Sequence, residues 1–131
     1  MLSVFTVSRR ETMAKVLIVD DSKFMRRIIR SALESGGHEV VGEAENGFEG
    51  FDLYKENRPD IVTMDVTMMG QDGLKTVDAL IKFDPAARII IISAMNEKVL
   101  LNARKMQIPV KGFLQKPFER EDLLKMISDM L

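Results

Sequence analysis

The sequence predicts an α/β fold, a doubly wound, five-stranded parallel sheet with five helices distributed over both of its faces. Short apolar runs alternate with longer segments of helical periodicity along the chain after residue 13. One run, Arg88–Ile92, contains four consecutive isoleucines, a pattern typical of a strand that is buried on both faces. The length of 131 residues, without an internal repeat or a linker, indicates a single domain. We therefore expect one folded domain over residues 14–131, preceded by a disordered extension over residues 1–13.

The first half of the chain predicts two strands, each followed by a helix. The apolar run Lys15–Val19 is the first strand, and a helix follows from Ser22 to about Ser35, where Gly36-Gly37 ends it. One face of this helix carries apolar residues at helical spacing: Met25, Ile28, Ile29, Ala32 and Leu33. The second strand is predicted at Glu39–Glu45, and a helix begins after Asn46-Gly47 and runs to about Asn57.

The second half predicts three further strands, each again followed by a helix. The strands are predicted at Asp60–Met64, Arg88–Ile92 and Lys111–Leu114. The helices are predicted between the loop Val66–Gln71 and Pro85, over residues 96–106, and over Glu119–Leu131. Because strands and helices alternate throughout, the strands should lie parallel and the crossovers should be right-handed.

Composition and charge exclude several classes of function. Nineteen basic and twenty acidic residues give a net charge of -1, without the basic excess of a general nucleic-acid binder. The chain has no cysteine and one histidine, His38, so it cannot form a disulfide, a thiolate zinc site or a histidine metal cluster. The apolar run after Arg9-Arg10 is only Val16–Val19, too short for a signal peptide or a membrane helix. We therefore expect a cytoplasmic protein without a nucleic-acid or membrane partner.

Polar side chains collect where the predicted strands end. Asp20 and Asp21 follow the first strand, Asp65 the third, Ser93 the fourth and Lys116 the fifth. Because the carboxyl ends of parallel strands share one edge of the sheet, these groups are predicted to meet in one cleft. Neighbouring carboxylates repel one another, and a divalent cation removes that penalty. Oxygen ligands favour Mg²⁺, with Mn²⁺ or Ca²⁺ as substitutes, and a carboxylate in such a site can accept a phosphoryl group.

Each of these residues has an ordinary structural explanation when it is taken alone. An acidic pair at a strand end often caps a helix, a single Asp there is often a turn residue, and Lys-Pro is common in loops. However, four of the predicted strand ends carry a group that phosphoryl transfer needs. The set therefore favours phosphoryl chemistry, in which a protein contributes mainly positioning and charge neutralisation.

On these residues the sequence resembles the receiver domains of two-component response regulators, particularly stand-alone chemotaxis regulators of the CheY type. The matching segments, in chain order, are VLIVDDSKFMRRIIRSALE, GEAENGFEG, PDIVTMDVTMMGQDGL, IIIISAM and GFLQKPF. Together they span nearly all of residues 15–131. The resemblance implies the flavodoxin-like and CheY-like strand order 2-1-3-4-5 and a cis peptide bond between Lys116 and Pro117.

The resemblance also implies the residues that bind the metal and the phosphoryl group. Asp65 corresponds to the phospho-acceptor. Asp21, Asp65 and the backbone carbonyl of Thr67 would bind Mg²⁺ directly, and Asp20 would act largely through a bound water.

Further residues would sense or protect the phosphoryl group. Ser93 matches the hydroxyl of the family's switch, and Phe113 matches the aromatic residue whose inward rotation accompanies its movement. Lys116 matches the family's invariant basic residue. Met95 is expected to overhang the phosphoryl site and to slow attack by water.

These assignments imply a single-domain response regulator that is not an enzyme beyond its own phosphorylation and dephosphorylation. A CheA-like histidine kinase would phosphorylate Asp65, and the phosphoryl group would change the affinity of the 96–131 face for a protein partner. That partner would be a flagellar switch, a phosphotransferase or a phosphatase, so chemotaxis and other phosphorelays both stay open. No helix-turn-helix follows Leu131, so we expect output through protein contacts, from a monomer.

Two other functions fit part of the pattern. A Mg²⁺-dependent phosphatase of the haloacid-dehalogenase type also combines an Asp nucleophile, a Ser or Thr and a Lys on a parallel sheet. It carries DxDx[TV] after its first strand, however, where this chain has DDSK. A phosphorylation-independent scaffold is the second alternative, although such proteins lose acidic residues that this chain retains.

Overall fold

A computed structural model describes residues 13–66 and 71–131, and these residues form one five-stranded parallel sheet. The strands are β1 Lys15–Val19, β2 Glu39–Ala44, β3 Ile61–Asp65, β4 Ile89–Ser93 and β5 Gly112–Gln115. Their spatial order is β2-β1-β3-β4-β5, and each neighbouring pair is parallel. The predicted fold class and strand order are therefore confirmed. The predicted N-terminal extension lies outside the described residues except for Met13.

Helices follow the strands as predicted, with local caps that explain where they begin. They are α1 Lys23–Ser35, α2 Gly47–Asn57, α3 Gln71–Phe83, α4 Asn96–Lys105 and α5 Arg120–Met130. The hydroxyl of Ser22 accepts a hydrogen bond from the amide of Met25 at 3.2 Å, and Asn46 caps α2 in the same way. Just after α1, Gly37 has a φ of 84°, a left-handed conformation that glycine adopts without strain. Within the described ranges, no helix has the length and apolarity needed to cross a membrane.

The sheet is buried on both faces. Leu17 and Ile91 belong to the core that α2, α3 and α4 cover, whereas Ile18 and Ile90 belong to the core under α1 and α5. All four side chains are at most 1% exposed. Since successive residues of a strand point to opposite faces, continuous apolar runs are what a two-sided sheet requires. Each such side chain contributes about 1.5–3 kcal/mol by its burial.

Three strands begin and end one residue later than the sequence predicts: β3, β4 and β5. Asp65 and Ser93 are consequently the last residues of their strands rather than the first residues beyond them. The reason is the hydrogen-bonded ladder, in which Asp65 is in register with Ile92 and Ser93 with Gln115. Strand ends follow backbone pairing, which continues past the point where the apolar run stops.

The prediction for the buried face of α1 is partly wrong. Ile29 and Leu33 are buried as expected, but Ile28 is 41% exposed. Arg26, in contrast, is only 8% exposed, although it carries a charge. A charged side chain is stable there only if polar partners meet it, and Arg26 has such partners at the carboxyl edge of the sheet.

Candidate functional site

The polar residues that the sequence places at strand ends do meet at one edge of the sheet. Asp20 and Asp21 follow β1, Asp65 ends β3 and Ser93 ends β4, while Lys116 follows β5. All five strands run in the same direction, so their carboxyl ends lie side by side. The observed sheet therefore brings these groups together at one edge.

The three carboxylates form a compact cluster. One oxygen from each of Asp20, Asp21 and Asp65 lies within 4.8 Å of the others. Asp20 is buried, the Asp65 side chain is 6% exposed, and Asp21 is exposed to solvent. Among the described residues, the cluster is therefore buried at Asp20 and reaches solvent at Asp21, where an ion or a phosphate could approach.

Lys116 supplies the positive charge beside this cluster. Its Nζ lies 2.7 Å from Oδ1 of Asp65 and 4.0 Å from Oδ2 of Asp20. Its backbone amide donates to the carbonyl of Ser93 at 2.9 Å, so β4 and β5 remain joined up to the site. The peptide bond between Lys116 and Pro117 is cis, as the family resemblance implies.

Asp20 is held by the protein at every polar atom except one. Its backbone amide donates to the carbonyl of Ala44 at 3.0 Å, and its Oδ1 accepts from the amide of Ser22 at 2.8 Å. The guanidinium of Arg26 donates to its carbonyl at 2.7 Å. Its Oδ2 is buried and has no hydrogen-bond partner among the described residues. Burial raises the pKa of the Asp20 carboxyl; the Ser22 amide opposes this rise, and the charge of Asp65 adds to it.

The residues present fit a divalent cation. A buried carboxylate oxygen without a hydrogen-bond partner is costly in a site that holds only protein groups, and an ion would satisfy it. Three carboxylates are a hard oxygen donor set of the kind that Mg²⁺ takes together with water or phosphate. Asp20, Asp21 and Asp65 are the residues that would hold the ion. Thr67 lies outside the described residues, so its carbonyl stays a predicted ligand.

Of the predicted switch residues, Ser93 ends β4, the strand that pairs with β3, and Phe113 lies on β5. Ser93 is 1% exposed, and its Oγ accepts a hydrogen bond from the amide of Met95 at 3.0 Å. Met95 itself is 37% exposed. Phe113, on β5, is half-buried and packs against the core under α2, α3 and α4.

Sequence reasoning missed one residue of this site, Arg26. A signal for it was present, because Arg26, Ile29 and Leu33 are spaced as the buried stripe of a helix. A charge on such a stripe needs a partner in the fold, and the structure shows that partner to be the carbonyl of Asp20.

The fold and this set of side chains define an α/β protein with an acidic cation site and a lysine at the carboxyl edge of its sheet. The family model of the response regulator receiver domain matches residues 16–128 of this chain, and the chain belongs to this family. The chemotaxis protein CheY of Bacillus subtilis is 42% identical over 117 residues, which cover 89% of this chain and 97% of that protein. Protein CcdB of the same organism is 40% identical over 119 residues, covering 91% of this chain and 98% of CcdB.

A solved structure shows the same fold. A chain of the crystal structure of the CheX-CheY-BeF3-Mg+2 complex from Borrelia burgdorferi superposes with a TM-score of 0.78 at 33% identity. The match covers 88% of this chain and 87% of that one. Receiver domains bind Mg²⁺ in an acidic pocket, and CheY-like receivers are signalling proteins that interact with histidine kinases and downstream partners.

Proposed function

We propose that this protein is a single-domain response regulator that accepts a phosphoryl group on Asp65 from a histidine kinase in a Mg²⁺-dependent reaction. The observation that carries the proposal is the pairing of Asp65 with Lys116 at 2.7 Å inside the acidic cluster. Nζ of Lys116 donates a hydrogen bond to Oδ1 of Asp65 and is the hydrogen-bond partner of this carboxylate among the described residues. Oδ2 is therefore the oxygen available to attack phosphorus.

The transfer needs little more than alignment and charge neutralisation. Oδ2 of Asp65 forms the new O–P bond while the P–N bond of the donor phosphohistidine breaks, and the imidazole leaves with the electron pair. Lys116 offsets the negative charge that accumulates beside Asp65. When Mg²⁺ is bound, it neutralises charge on the phosphoryl oxygens.

The phosphoryl group would act on Ser93 and Phe113. The hydroxyl of Ser93 serves as an acceptor for Met95, so its own proton is available for a phosphoryl oxygen. Movement of Ser93 toward that oxygen would leave space that Phe113 fills from its half-buried position. The phosphoryl group shifts this equilibrium by as much as it binds one state better than the other.

Output would come from the 96–131 face, which consists of α4, β5 and α5. Exposed apolar side chains are available there for a protein partner: Leu100 at 38%, Leu101 at 48% and Met106 at 36%. The partner would be a flagellar switch, a phosphotransferase or a phosphatase. We expect the protein to be a cytoplasmic monomer whose receiver domain is residues 14–131.

Incubation of the protein with acetyl phosphate and Mg²⁺ tests the proposal. We expect intact mass spectrometry to show one added phosphate per chain and none when EDTA is present. Steady turnover of p-nitrophenyl phosphate would instead support a phosphatase. If the protein neither gains a phosphate from acetyl phosphate and Mg²⁺ nor turns over p-nitrophenyl phosphate, the result would support the phosphorylation-independent scaffold.

Met95 should set part of the lifetime of the phosphorylated state. Its backbone amide is bonded to Ser93 and its side chain is partly exposed, so we expect this apolar side chain to impede an attacking water. We expect Met95→Asn to speed dephosphorylation about 2- to 10-fold, the worth of one hydrogen bond to that water. The measurement is loss of the phosphorylated mass with time after acetyl phosphate is removed. Met106→Asn, at similar exposure and at the C-cap of α4, is the control. Slower loss in Met95→Asn than in the wild type would refute the idea.

A further inference from the structure

Arg26 connects helix α1 to the loop that carries the acidic pair. Its side chain is 10% exposed, and its Nη1 donates to the carbonyl of Asp20 at 2.7 Å. A guanidinium remains charged at all relevant pH values, so burying it is costly unless its donors are paired. Arg26 is thus held in the interior by a contact to Asp20, the most deeply buried residue of the cluster.

Acidic residues of β2 and the loop after it orient this guanidinium. The Nε of Arg26 lies 3.2 Å from Glu43, and its Nη2 lies 3.9 Å from Glu45. Glu43 is held in turn by Arg30 at 2.6 Å. Because Nε of Arg26 is bonded to Glu43 on β2 and its Nη2 faces Glu45 just after that strand, its Nη1 is aimed at Asp20.

The hydrogen bond from Arg26 to the carbonyl of Asp20 adds a further contact that holds the turn carrying the carboxylates. Without Arg26, that turn would still have the bonds to Ala44 and Ser22, but the carbonyl of Asp20 would be free to rotate. The carboxylates of Asp20 and Asp21 would then sample positions outside the 4.8 Å cluster.

We propose that Arg26 is a positioning residue for the cation site, acting through the backbone carbonyl of Asp20. This inference rests on the proposed function, because it assumes that the acidic cluster binds Mg²⁺. Arg26 touches neither the ion nor the phosphoryl group. Its role is to keep the turn after β1 in the geometry that the ion requires, as residues behind metal ligands generally do.

Two measurements on Arg26→Met test this role. Calorimetric titration with Mg²⁺ should show affinity about 10- to 100-fold weaker than in the wild type. Hydrogen exchange of the Ser22 amide, measured in EDTA, should be faster, because that amide is bound to Oδ1 of Asp20. The second measurement reports on the turn without any metal.

Arg30→Met is the matched control, since it breaks the outer ion pairs with Glu43 and Glu34 but does not contact Asp20. We expect it to alter the melting temperature without changing Mg²⁺ affinity or Ser22 exchange. Wild-type affinity and exchange in a folded Arg26→Met protein would overturn the proposal. If Arg26→Met does not fold, Arg26→Gln replaces it, because its shorter side chain also loses the guanidinium that donates to Asp20, and the same two unchanged readouts in that variant would be equally decisive.

These measurements distinguish failure of the role of Arg26 from failure of the proposed function. If the wild type itself binds no Mg²⁺, the proposed function fails, whereas Ser22 exchange still shows whether Arg26 holds the turn. If the wild type binds Mg²⁺ and Arg26→Met binds it equally well, only the role of Arg26 is refuted.

Discussion

Asp65→Asn is expected to abolish the gain of a phosphate from acetyl phosphate and Mg²⁺. The amide that replaces the carboxylate has no charged oxygen to attack phosphorus and is a poor ligand for the ion. It retains an oxygen that can accept the hydrogen bond from Lys116, so the fold should persist. Intact mass spectrometry measures the loss, and thermal unfolding shows whether the variant is folded.

Asp52→Asn is a suitable control for this experiment. Its side chain is 70% exposed on α2 and forms only a 3.7 Å contact with Lys55 among the described ion pairs. It should gain one phosphate as the wild type does. If Asp65→Asn also gained a phosphate, the acceptor would be a different residue and the proposed mechanism would be wrong.

Asp20→Asn should stabilise the metal-free protein while weakening Mg²⁺ binding. The Oδ2 atom of Asp20 is a buried charged acceptor that lies 4.0 Å from Nζ of Lys116 but has no hydrogen-bond partner among the described residues. An amide group at that position could donate to Asp65, which relieves a penalty of about 1–3 kcal/mol. Loss of the carboxylate should weaken Mg²⁺ binding about 10- to 100-fold, the range found for groups that support a metal through its outer shell.

The stability gain should depend on pH with a defined sign. Burial raises the pKa of Asp20 in the folded state above its usual value of 3.8. The folded protein therefore holds this proton more tightly than the unfolded chain, so the wild type loses stability as pH rises from 3.8 through the folded pKa. The advantage of Asp20→Asn should grow over that interval and stay constant above it.

Urea unfolding in EDTA between pH 4 and pH 8 measures the difference in stability between Asp20→Asn and the wild type. Repetition with Mg²⁺ should reverse the sign of that difference, because the ion stabilises the wild type by binding its folded state. Asp21→Asn provides the comparison. Asp21 is exposed, so its replacement should weaken Mg²⁺ binding without the gain in stability. Equal stability of wild type and Asp20→Asn at neutral pH in EDTA would contradict the argument.

Most of the fold could be predicted from the sequence because its signals are local. The isoleucines of β4 indicate a strand buried on both faces, and Gly37 indicates where α1 ends. The convergence of Asp20, Asp65 and Lys116 followed from one general property of parallel sheets, that their carboxyl ends share an edge.

The features that the sequence did not predict depend on pairing between distant segments. Asp65 and Ser93 belong to their strands because the ladder continues there, which apolarity does not reveal. Arg26, on α1, is buried because Glu43 on β2 and the carbonyl of Asp20 both contact it. The roles of Ser93, Phe113 and Met95 stay predictions, because they concern a phosphorylated state.

Both the side chain and the main chain of Lys116 are hydrogen-bonded to residues that phosphorylation would alter. Its ammonium group pairs with Asp65, and its main-chain amide is bonded to Ser93. New charge on Asp65 and displacement of Ser93 would thus pull on a single residue at the start of the connection from β5 to α5. We expect the two events to be concerted rather than sequential, which would give the 14.9 kDa chain an all-or-none response to one covalent bond.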